Sequence, residues 1–174
     1  MSPGADRHLR VAALVALAVL LVDQATKAVV EHTMVLHQTI PLTPFFALTY
    51  VRNTGAAFGL LADAPAALRL PLFVVVTVVA LLALGAYLRS MPPQRPWLAA
   101  SVGGILGGAL GNLVCRLRYG EVIDFLHLHW GSLSWPMFNV ADSAITVGVV
   151  IVLFESFRAP GARADSADSS PAGE

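Results

Sequence analysis

The sequence predicts an all-α membrane protein: four transmembrane helices with a small extracytoplasmic β-sheet, a cradle, after the first helix. Two observations indicate this fold class. The 174 residues are 56% hydrophobic and only 13% charged, with a mean hydropathy of +0.71. Four apolar stretches also approach the ~20 residues that a helix needs to cross a bilayer. We expect a single four-helix domain over residues 1–158 and a disordered cytoplasmic tail over residues 159–174, which is small and polar.

The first span begins with the apolar residues 11–22, which follow a pair of arginines. A cleaved signal peptide shows the same pattern. The helical pattern continues to Val30, however, and no small-x-small cleavage site follows, so we favour a transmembrane helix. Asp23 and Lys27 are four residues apart and therefore share a helix face, where they can neutralise each other. We predict that they form a structural polar pair.

The loop over residues 31–65 has a different composition from the spans. Residues 39–51 are rich in β-branched and aromatic side chains and contain prolines that bar a continuous helix. Residues 52–59 contain Asn53 and glycines that suit tight turns. We predict a small sheet on the membrane surface, which either caps the bundle or cradles a substrate.

Three further spans complete the bundle, at Leu70–Leu88, Trp97 to about Val114, and Met137–Phe157. The third span has glycines that recur every four residues, at positions 103, 107 and 111 and at positions 104 and 108. This small-xxx-small spacing allows neighbouring helices to approach closely in lipid, where apolar burial supplies little driving force.

Basic residues near the span ends predict the orientation. One cluster precedes the first span, one joins the second and third, and one follows the fourth: Arg7 and Arg10, Arg89 and Arg95, Arg158 and Arg163. The positive-inside rule places these clusters, and both termini, in the cytoplasm. The loops 31–65 and 115–136 are then extracytoplasmic, although Arg52, Arg116 and Arg118 lie in or beside them as exceptions.

Asp124 and Asp142 are the candidate catalytic residues. Both are expected at the outer ends of neighbouring spans, where ionisable groups are costly and often functional. Two carboxylates that share a water also share a proton, so one can take a proton from water while the other polarises a carbonyl. That arrangement suits amide hydrolysis without a metal or cofactor. The alternative is two solvated acids, with Asp142 stabilising the first turn of the fourth span.

Five segments resemble, in order, the motifs of the lipoprotein signal peptidase (signal peptidase II) family of membrane aspartic proteases. They are Asp23–Lys27, Arg52–Gly59, Gly107–Arg116, Val122–Phe125 and Phe138–Ser143. The resemblance covers residues 8–157 and implies that Asp124 and Asp142 form the catalytic dyad. It also implies an enzyme of the bacterial cytoplasmic (inner) membrane, with its active site near the outer face. Its substrates would be diacylglyceryl-modified prolipoproteins, cleaved just before the lipidated cysteine.

The resemblance implies roles for further polar residues and partners. It places Asn53, Asn112, Arg116 and Asn139 around the dyad, where they bind the substrate backbone or support the aspartates. The alternative is that they tie helix ends to the sheet. The partners implied are the lipid-modified prolipoproteins and membrane lipid, with no cofactor, and a monomer suffices.

One position departs from the family pattern. The third motif usually ends Asn-Leu-x-Asp-Arg, and Cys115 stands where the family has that aspartate. Cysteine cannot accept the charged hydrogen bonds that a carboxylate accepts. If that aspartate orients Arg116, we expect Arg116 to be held less firmly here.

Other functions find less support in the sequence. Eleven basic residues balance eleven acidic ones, so no basic surface indicates nucleic acid. His127 and His129 would share one face of a strand, but only Glu121 offers a third ligand, and we predict no metal site. A small membrane transporter or scaffold with non-catalytic polar residues remains the alternative. The chain lacks the internal repeat of many transporters, and a scaffold would tolerate single aspartate substitutions.

Overall fold

The computed structural model describes residues 3–55, 64–91 and 95–158. The tail predicted over residues 159–174 and residues 56–59 of the second motif lie outside the described residues. Helices and strands follow one another along the described chain in the order α1 (Pro3–Thr33), β1 (Thr39–Thr43), β2 (Phe46–Asn53), α2 (Ala66–Ser90), α3 (Pro96–Tyr119), β3 (Val122–Trp130), β4 (Leu133–Ser134) and α4 (Val140–Arg158).

All four helices are long and apolar enough to cross a membrane. The spans are Arg7–Thr33, Ala67–Ser90, Pro96–Tyr119 and Val140–Arg158. The predicted membrane protein with four spans is therefore confirmed. The first helix continues through Asp23 and Lys27 without a break, because these two side chains are buried in an ion pair of 2.8 Å and do not face lipid.

Helix α3 lies at the centre of the bundle. In its most apolar stretch 72% of the residues are buried, against 17% for α1, 0% for α2 and 11% for α4. Its glycines make this position possible. A Cβ atom on Gly103 would overlap the backbone of Ala12 in α1, and one on Gly108 would overlap the carbonyl oxygen of Ala141 in α4. The predicted role of the small-xxx-small pattern in close helix packing is thus confirmed.

The four strands form one antiparallel sheet in the order β1-β2-β3-β4. The predicted strands after the first helix are β1 and β2. The sheet is larger than predicted, because the loop expected over residues 115–136 contributes β3 and β4. Val122 to Phe125 are all buried in β3. A strand covered on both faces shows no alternation of apolar and polar residues, so the sequence pattern did not reveal it.

One face of the sheet packs against the ends of α1 and α3. That contact is a buried cluster of Val30 and Met34 from α1, Tyr50 from β2, and Ile123 and Phe125 from β3, with Tyr119 of α3 packed against it. Because successive strand residues point to opposite faces, Asn53 and Asp124 lie on the other side of the sheet. We call this part of the molecule the sheet end of the bundle.

Candidate active site

Asp124 lies in β3 and is only 2% exposed. Its two carboxylate oxygens accept hydrogen bonds from two different asparagines. The Nδ2 of Asn53 donates to Oδ2 at 2.9 Å, and the Nδ2 of Asn139 donates to Oδ1 at 2.7 Å. Asn53 reaches Asp124 diagonally across the β2–β3 ladder, where Asn53 pairs with Val122 and Val51 pairs with Asp124. The sheet that the sequence only partly revealed therefore positions the first carboxylate.

Asp142 lies in the first turn of α4 and is held by a reciprocal cap. The Oδ1 of Asn139 accepts a hydrogen bond from the backbone N–H of Asp142 at 3.0 Å, and the Oδ2 of Asp142 accepts one from the backbone N–H of Asn139 at 3.2 Å. This is the capping-box arrangement, in which residues three apart satisfy each other's N–H groups at the start of a helix. The Nδ2 of Asn112 in α3 donates to the remaining oxygen at 2.7 Å.

Asn139 connects the two carboxylates. It is fully buried, its side-chain Nδ2 donates to Asp124, and its backbone N–H donates to Asp142. The same Nδ2 also lies 3.2 Å from Oδ1 of Asn112 and 3.3 Å from the carbonyl oxygen of Ile123. One residue therefore brings strand β3 and the start of α4 into a single hydrogen-bonded site.

Lys27 and Asp23 form a buried ion pair that borders this site. The Nζ of Lys27 donates to Asp23 and to Oδ1 of Asn112, both at 2.8 Å. Since that oxygen faces an ammonium group, the amide of Asn112 must direct its Nδ2 at Asp142. The Oδ1 of Asp23 also accepts from the backbone N–H of Ala141 at the start of α4, at 3.0 Å. The two residues predicted as a structural pair therefore each hydrogen-bond a neighbour of Asp142: Lys27 contacts Asn112, and Asp23 contacts Ala141.

Both carboxylates line one cavity of about 990 Å³. Its polar wall includes Asn53, Asn112 and Arg116, and its apolar wall continues along α4 through Ile145 and Val147. Arg116 does not hydrogen-bond either aspartate within the described part of the chain. Its Nη2 donates to the carbonyl oxygen of Gly55 at 3.3 Å, and its guanidinium lies 4.3 Å from the ring centre of Phe73.

Burial and the second carboxylate change the acidity of the site. Burial raises the pKa of Asp124 to about 6, and the negative charge of Asp142 adds to this shift. The hydrogen bonds from Asn53 and Asn139 favour the ionised form and partly oppose it. A raised pKa beside a second carboxylate favours a pair that holds one proton between its two members.

Cys115 does not contact Arg116 through a hydrogen bond among the described residues. The cysteine is 1% exposed, and its Sγ lies 3.9 Å from the Nε2 of Gln24 in α1. That amide also donates to Asp23 and to the carbonyl oxygen of Gly111, both at 3.0 Å. Position 115 thus faces α1 at the edge of the buried ion pair. The sequence reasoning passed over Gln24, although its position between Asp23 and Lys27 was an available signal.

His127 of β3 connects strands of the sheet through its ring nitrogens. His127 lies 3.1 Å from the hydroxyl of Thr49 through Nδ1 and 2.8 Å from that of Ser134 through Nε2. The bonds therefore link β2, β3 and β4. Within residues 3–55, 64–91 and 95–158, no group of three or more His, Cys, Asp or Glu side chains could hold a metal ion.

Comparison of the sequence with known proteins identifies one family. A family model described as signal peptidase (SPase) II matches residues 15–158. The lipoprotein signal peptidase of Syntrophotalea carbinolica is 46% identical over 152 residues, which cover 87% of this chain and 93% of that protein. The lipoprotein signal peptidase of Geobacter sulfurreducens is 48% identical over 145 residues, with coverages of 83% and 89%.

Two solved structures of bacterial membrane enzymes share the fold. A bacterial membrane enzyme solved by the in meso method superposes with a TM-score of 0.77 at 27% identity, covering 94% of this chain and 93% of that one. A second such enzyme gives a TM-score of 0.76 at 28% identity, with coverages of 85% and 93%. The family match over most of the chain, together with relatives at 46% and 48% identity, shows that the chain belongs to the signal peptidase II family of proteases.

Proposed function

We propose that the chain is an aspartic endopeptidase that removes the signal peptide from diacylglyceryl-modified prolipoproteins, cleaving just before the lipidated cysteine. The printed name of the relatives, lipoprotein signal peptidase, supports the substrate class. The observation that carries the mechanism is the hydrogen bonding of Asp124 and Asp142 to the same residue, Asn139, in one cavity.

The proposed reaction uses one proton on the dyad. Burial and the charge of Asp142 raise the pKa of Asp124 to about 6, so Asp124 carries this proton. Asp142 is ionised and takes a proton from the attacking water. The water oxygen then bonds to the scissile carbonyl carbon, while protonated Asp124 keeps its proton and donates a hydrogen bond to the developing oxyanion. Collapse of this intermediate breaks the C–N bond, and the proton taken by Asp142 passes to the leaving amine.

The surrounding residues fix the positions and orientations of the two carboxylates. In this proposal Asn112 and Asn139 orient Asp142, Asn53 and Asn139 orient Asp124, and Arg116 supports the cavity wall through Gly55. Catalysis of this kind depends on groups that are held in place before the reaction begins. The fully buried amide of Asn139 fits that requirement.

The cavity also suits a lipid-anchored substrate. It begins at the polar dyad and continues along the apolar residues of α4, including Ile145 and Val147. A helical signal peptide in the bilayer can therefore enter sideways, so that its scissile bond meets the dyad at the membrane boundary. We propose a single domain over residues 1–158 that acts as a monomer in the bacterial cytoplasmic membrane. Both termini are then cytoplasmic and the dyad lies near the outer face, as the positive-inside rule indicates.

Single amide substitutions test this function. Asp124→Asn and Asp142→Asn preserve side-chain size, and each is expected to lower the cleavage rate of a diacylglyceryl-modified prolipoprotein by about 10³-fold or more. Mass spectrometry of the product in proteoliposomes locates the cleaved bond. Glu155→Gln, at the opposite end of α4, is the matched control and is expected to cleave like the parent. Parental rates from either aspartate variant would reject the mechanism and favour a scaffold.

A further inference from the structure

Three residues form a polar cluster where the sheet meets the bundle: Glu31 of α1, Arg52 of β2 and Tyr119 of α3. The Nη2 of Arg52 lies 2.6 Å from Oε1 of Glu31, and the hydroxyl of Tyr119 donates to Oε2 of Glu31 at 2.9 Å. The guanidinium also lies 4.8 Å from the ring centre of Tyr119, and its Nε donates to the hydroxyl of Tyr50 at 3.0 Å. We call Glu31, Arg52 and Tyr119 the strand-end cluster.

The main effect of the cluster is to fix the orientation of Arg52, and its contribution to the free energy of unfolding is small. The side chains of Arg52 and Glu31 are 23% and 24% exposed, and ion pairs of this exposure contribute little to the free energy of unfolding. The planar guanidinium, however, meets a carboxylate, a hydroxyl and an aromatic ring at the same time. Such a combination of partners restricts the orientation of an arginine side chain.

The residue after Arg52 is Asn53, which donates to Asp124 on the other face of the sheet. Because consecutive residues of a strand point to opposite faces, an anchor on Arg52 also sets the direction of Asn53. The Oδ1 of Asn53 accepts from the backbone N–H of Gly55 at 2.9 Å, and Arg116 donates to the carbonyl oxygen of Gly55. The last residues of β2 therefore connect the cluster to the cavity wall.

The ladder between β2 and β3 is interrupted just before this part of β2. The pairing of β2 with β3 shifts register between Leu48 and Val51, just before the pairs Val51–Asp124 and Asn53–Val122. A register irregularity interrupts the ladder and increases local bending. The strand-end cluster attaches the short stretch beyond this irregularity to two helices.

We propose that Glu31 and Tyr119 are positioning residues, which hold Arg52 and so fix the end of β2 where Asn53 donates to Asp124. This inference rests on the proposed function of Asp124. It assigns a part in catalysis to two side chains that touch neither aspartate and lie outside the five motif segments of the sequence. A purely stabilising cluster would instead change the amount of folded protein and leave the turnover of each folded molecule unchanged.

The proposal has a specific consequence for pH dependence. The hydrogen bond from Asn53 lowers the pKa of Asp124 and partly offsets the effect of burial. When the strand end is released, this bond forms less often and the pKa of Asp124 rises. The turnover number is expected to fall, and the pH at which activity is lost at the alkaline side is expected to move upward. The KM is expected to change little, because no residue of the cluster except Arg52 lines the cavity.

The test combines pH–rate profiles with a double-mutant cycle on the full chain in proteoliposomes. Glu31→Gln is expected to lower kcat by roughly 2- to 10-fold, the equivalent of one hydrogen bond, and to shift the alkaline limb in the same direction as Asn53→Ala. The double variant Glu31→Gln/Asn53→Ala is expected to match Asn53→Ala alone, since Glu31 acts through Asn53. Tyr119→Phe keeps the ring and removes one bond to Glu31, so its effect is expected to be smaller in the same direction.

A matched control exists at the other end of the bundle. Arg95, just before α3, and Glu155, in the last turns of α4, form an ion pair of 2.7 Å, whereas Asp142 lies in the first turn of α4. Glu155→Gln is expected to leave kcat and the pH profile unchanged. Multiplicative losses for Glu31→Gln and Asn53→Ala, or an unshifted alkaline limb, would overturn the proposal. Those outcomes differ from failure of the proposed function, in which Asp124→Asn itself would remain active. If Glu31→Gln does not fold, Tyr119→Phe carries the same cycle with Asn53→Ala.

Discussion

The two ends of the helix bundle differ in the polar and charged residues that they bury, although α1 and α3 run through both. At the end away from the sheet the core is apolar, with Ala12, Leu88, Met91, Leu98, Ala99 and Val102. At the sheet end an apolar cluster under the sheet is joined by buried polar and charged side chains, namely Asp23, Lys27, Asn112, Asp124 and Asn139.

This difference separates what stabilises the fold from what serves the reaction. Apolar burial and close helix contacts stabilise the first end, because they remove apolar surface and fill space densely. Buried charges cost free energy to desolvate, and an ion pair such as Lys27–Asp23 recovers that cost only with good geometry and further hydrogen bonds. The buried charges, whose desolvation costs free energy, lie at the same end of the bundle as the proposed dyad.

Removal of the buried ion pair gives the largest expected change in stability. Lys27→Met alone leaves the Asp23 carboxylate buried without its cation, and the free energy of unfolding is expected to fall by about 3–5 kcal/mol. Lys27→Met with Asp23→Asn is expected to regain most of this loss, since the amide still accepts from Ala141. Activity is expected to stay low in both, because Asn112 has lost the ammonium that orients its amide. Reversible unfolding in detergent and cleavage assays measure the two effects.

The control for this pair is the partly exposed Arg95–Glu155 ion pair at the opposite end. Glu155→Gln is expected to cost less than about 1 kcal/mol. If the double variant at Lys27 and Asp23 regained full activity together with its stability, the buried pair would serve the fold alone, and the contrast between the two ends would be lost.

A glycine substitution at the apolar end is expected to lower stability by a smaller amount and to leave turnover unchanged. A Cβ at Gly103 would overlap the backbone of Ala12, so Gly103→Ala is expected to cost about 1–3 kcal/mol through overpacking. The turnover of each folded molecule is expected to stay parental. Gly85→Ala in α2 is the matched control, since its Cβ would meet only Arg89 at 3.9 Å. Equal stability of these two alanine variants would contradict the packing argument, which thermal unfolding in detergent can measure.

The pH dependence of kcat/KM gives the smallest expected effect. Burial and the charge of Asp142 raise the pKa of Asp124 to about 6, so the shared proton is present below this pH and is lost as the pH rises through it. We expect kcat/KM to fall at most about tenfold per pH unit on the alkaline side. The limb is expected near this pKa or above it, because further burial by substrate acts in the same direction. Activity that instead increased from pH 6 to pH 8 would mean that the dyad works with both carboxylates ionised.

Much of the fold can be predicted from local sequence. The part that cannot depends on contacts between residues that are far apart in the sequence. Four hydrophobic spans and the glycine pattern of α3 can be recognised because each is contained in one continuous segment. Strand β3 was missed because Val122 to Phe125 are buried on both faces and its partner β2 is about seventy residues earlier in the sequence. The sequence therefore predicted a cradle built only from the first loop.

The residues of the candidate site could be identified from sequence motifs, whereas the hydrogen bonds that join them could be seen only in the structure. Asn139 was expected near the dyad, but its simultaneous bonds to Asp124 and Asp142 depend on how β3 meets α4. Cys115 was expected to affect Arg116, its neighbour in sequence. The structure places the thiol against Gln24 of α1, because consecutive residues of a helix point in directions about 100° apart.

The most direct test of the dyad is a comparison of Asp124→Asn, Asp142→Asn and the variant that carries both substitutions. Turnover of a diacylglyceryl-modified prolipoprotein is measured for each under saturating substrate, together with the fraction of folded protein. Two carboxylates that share one proton act as a unit, so the double variant is expected to be no slower than either single variant, within about threefold. A double variant whose loss equals the product of the two single losses would contradict a shared-proton dyad.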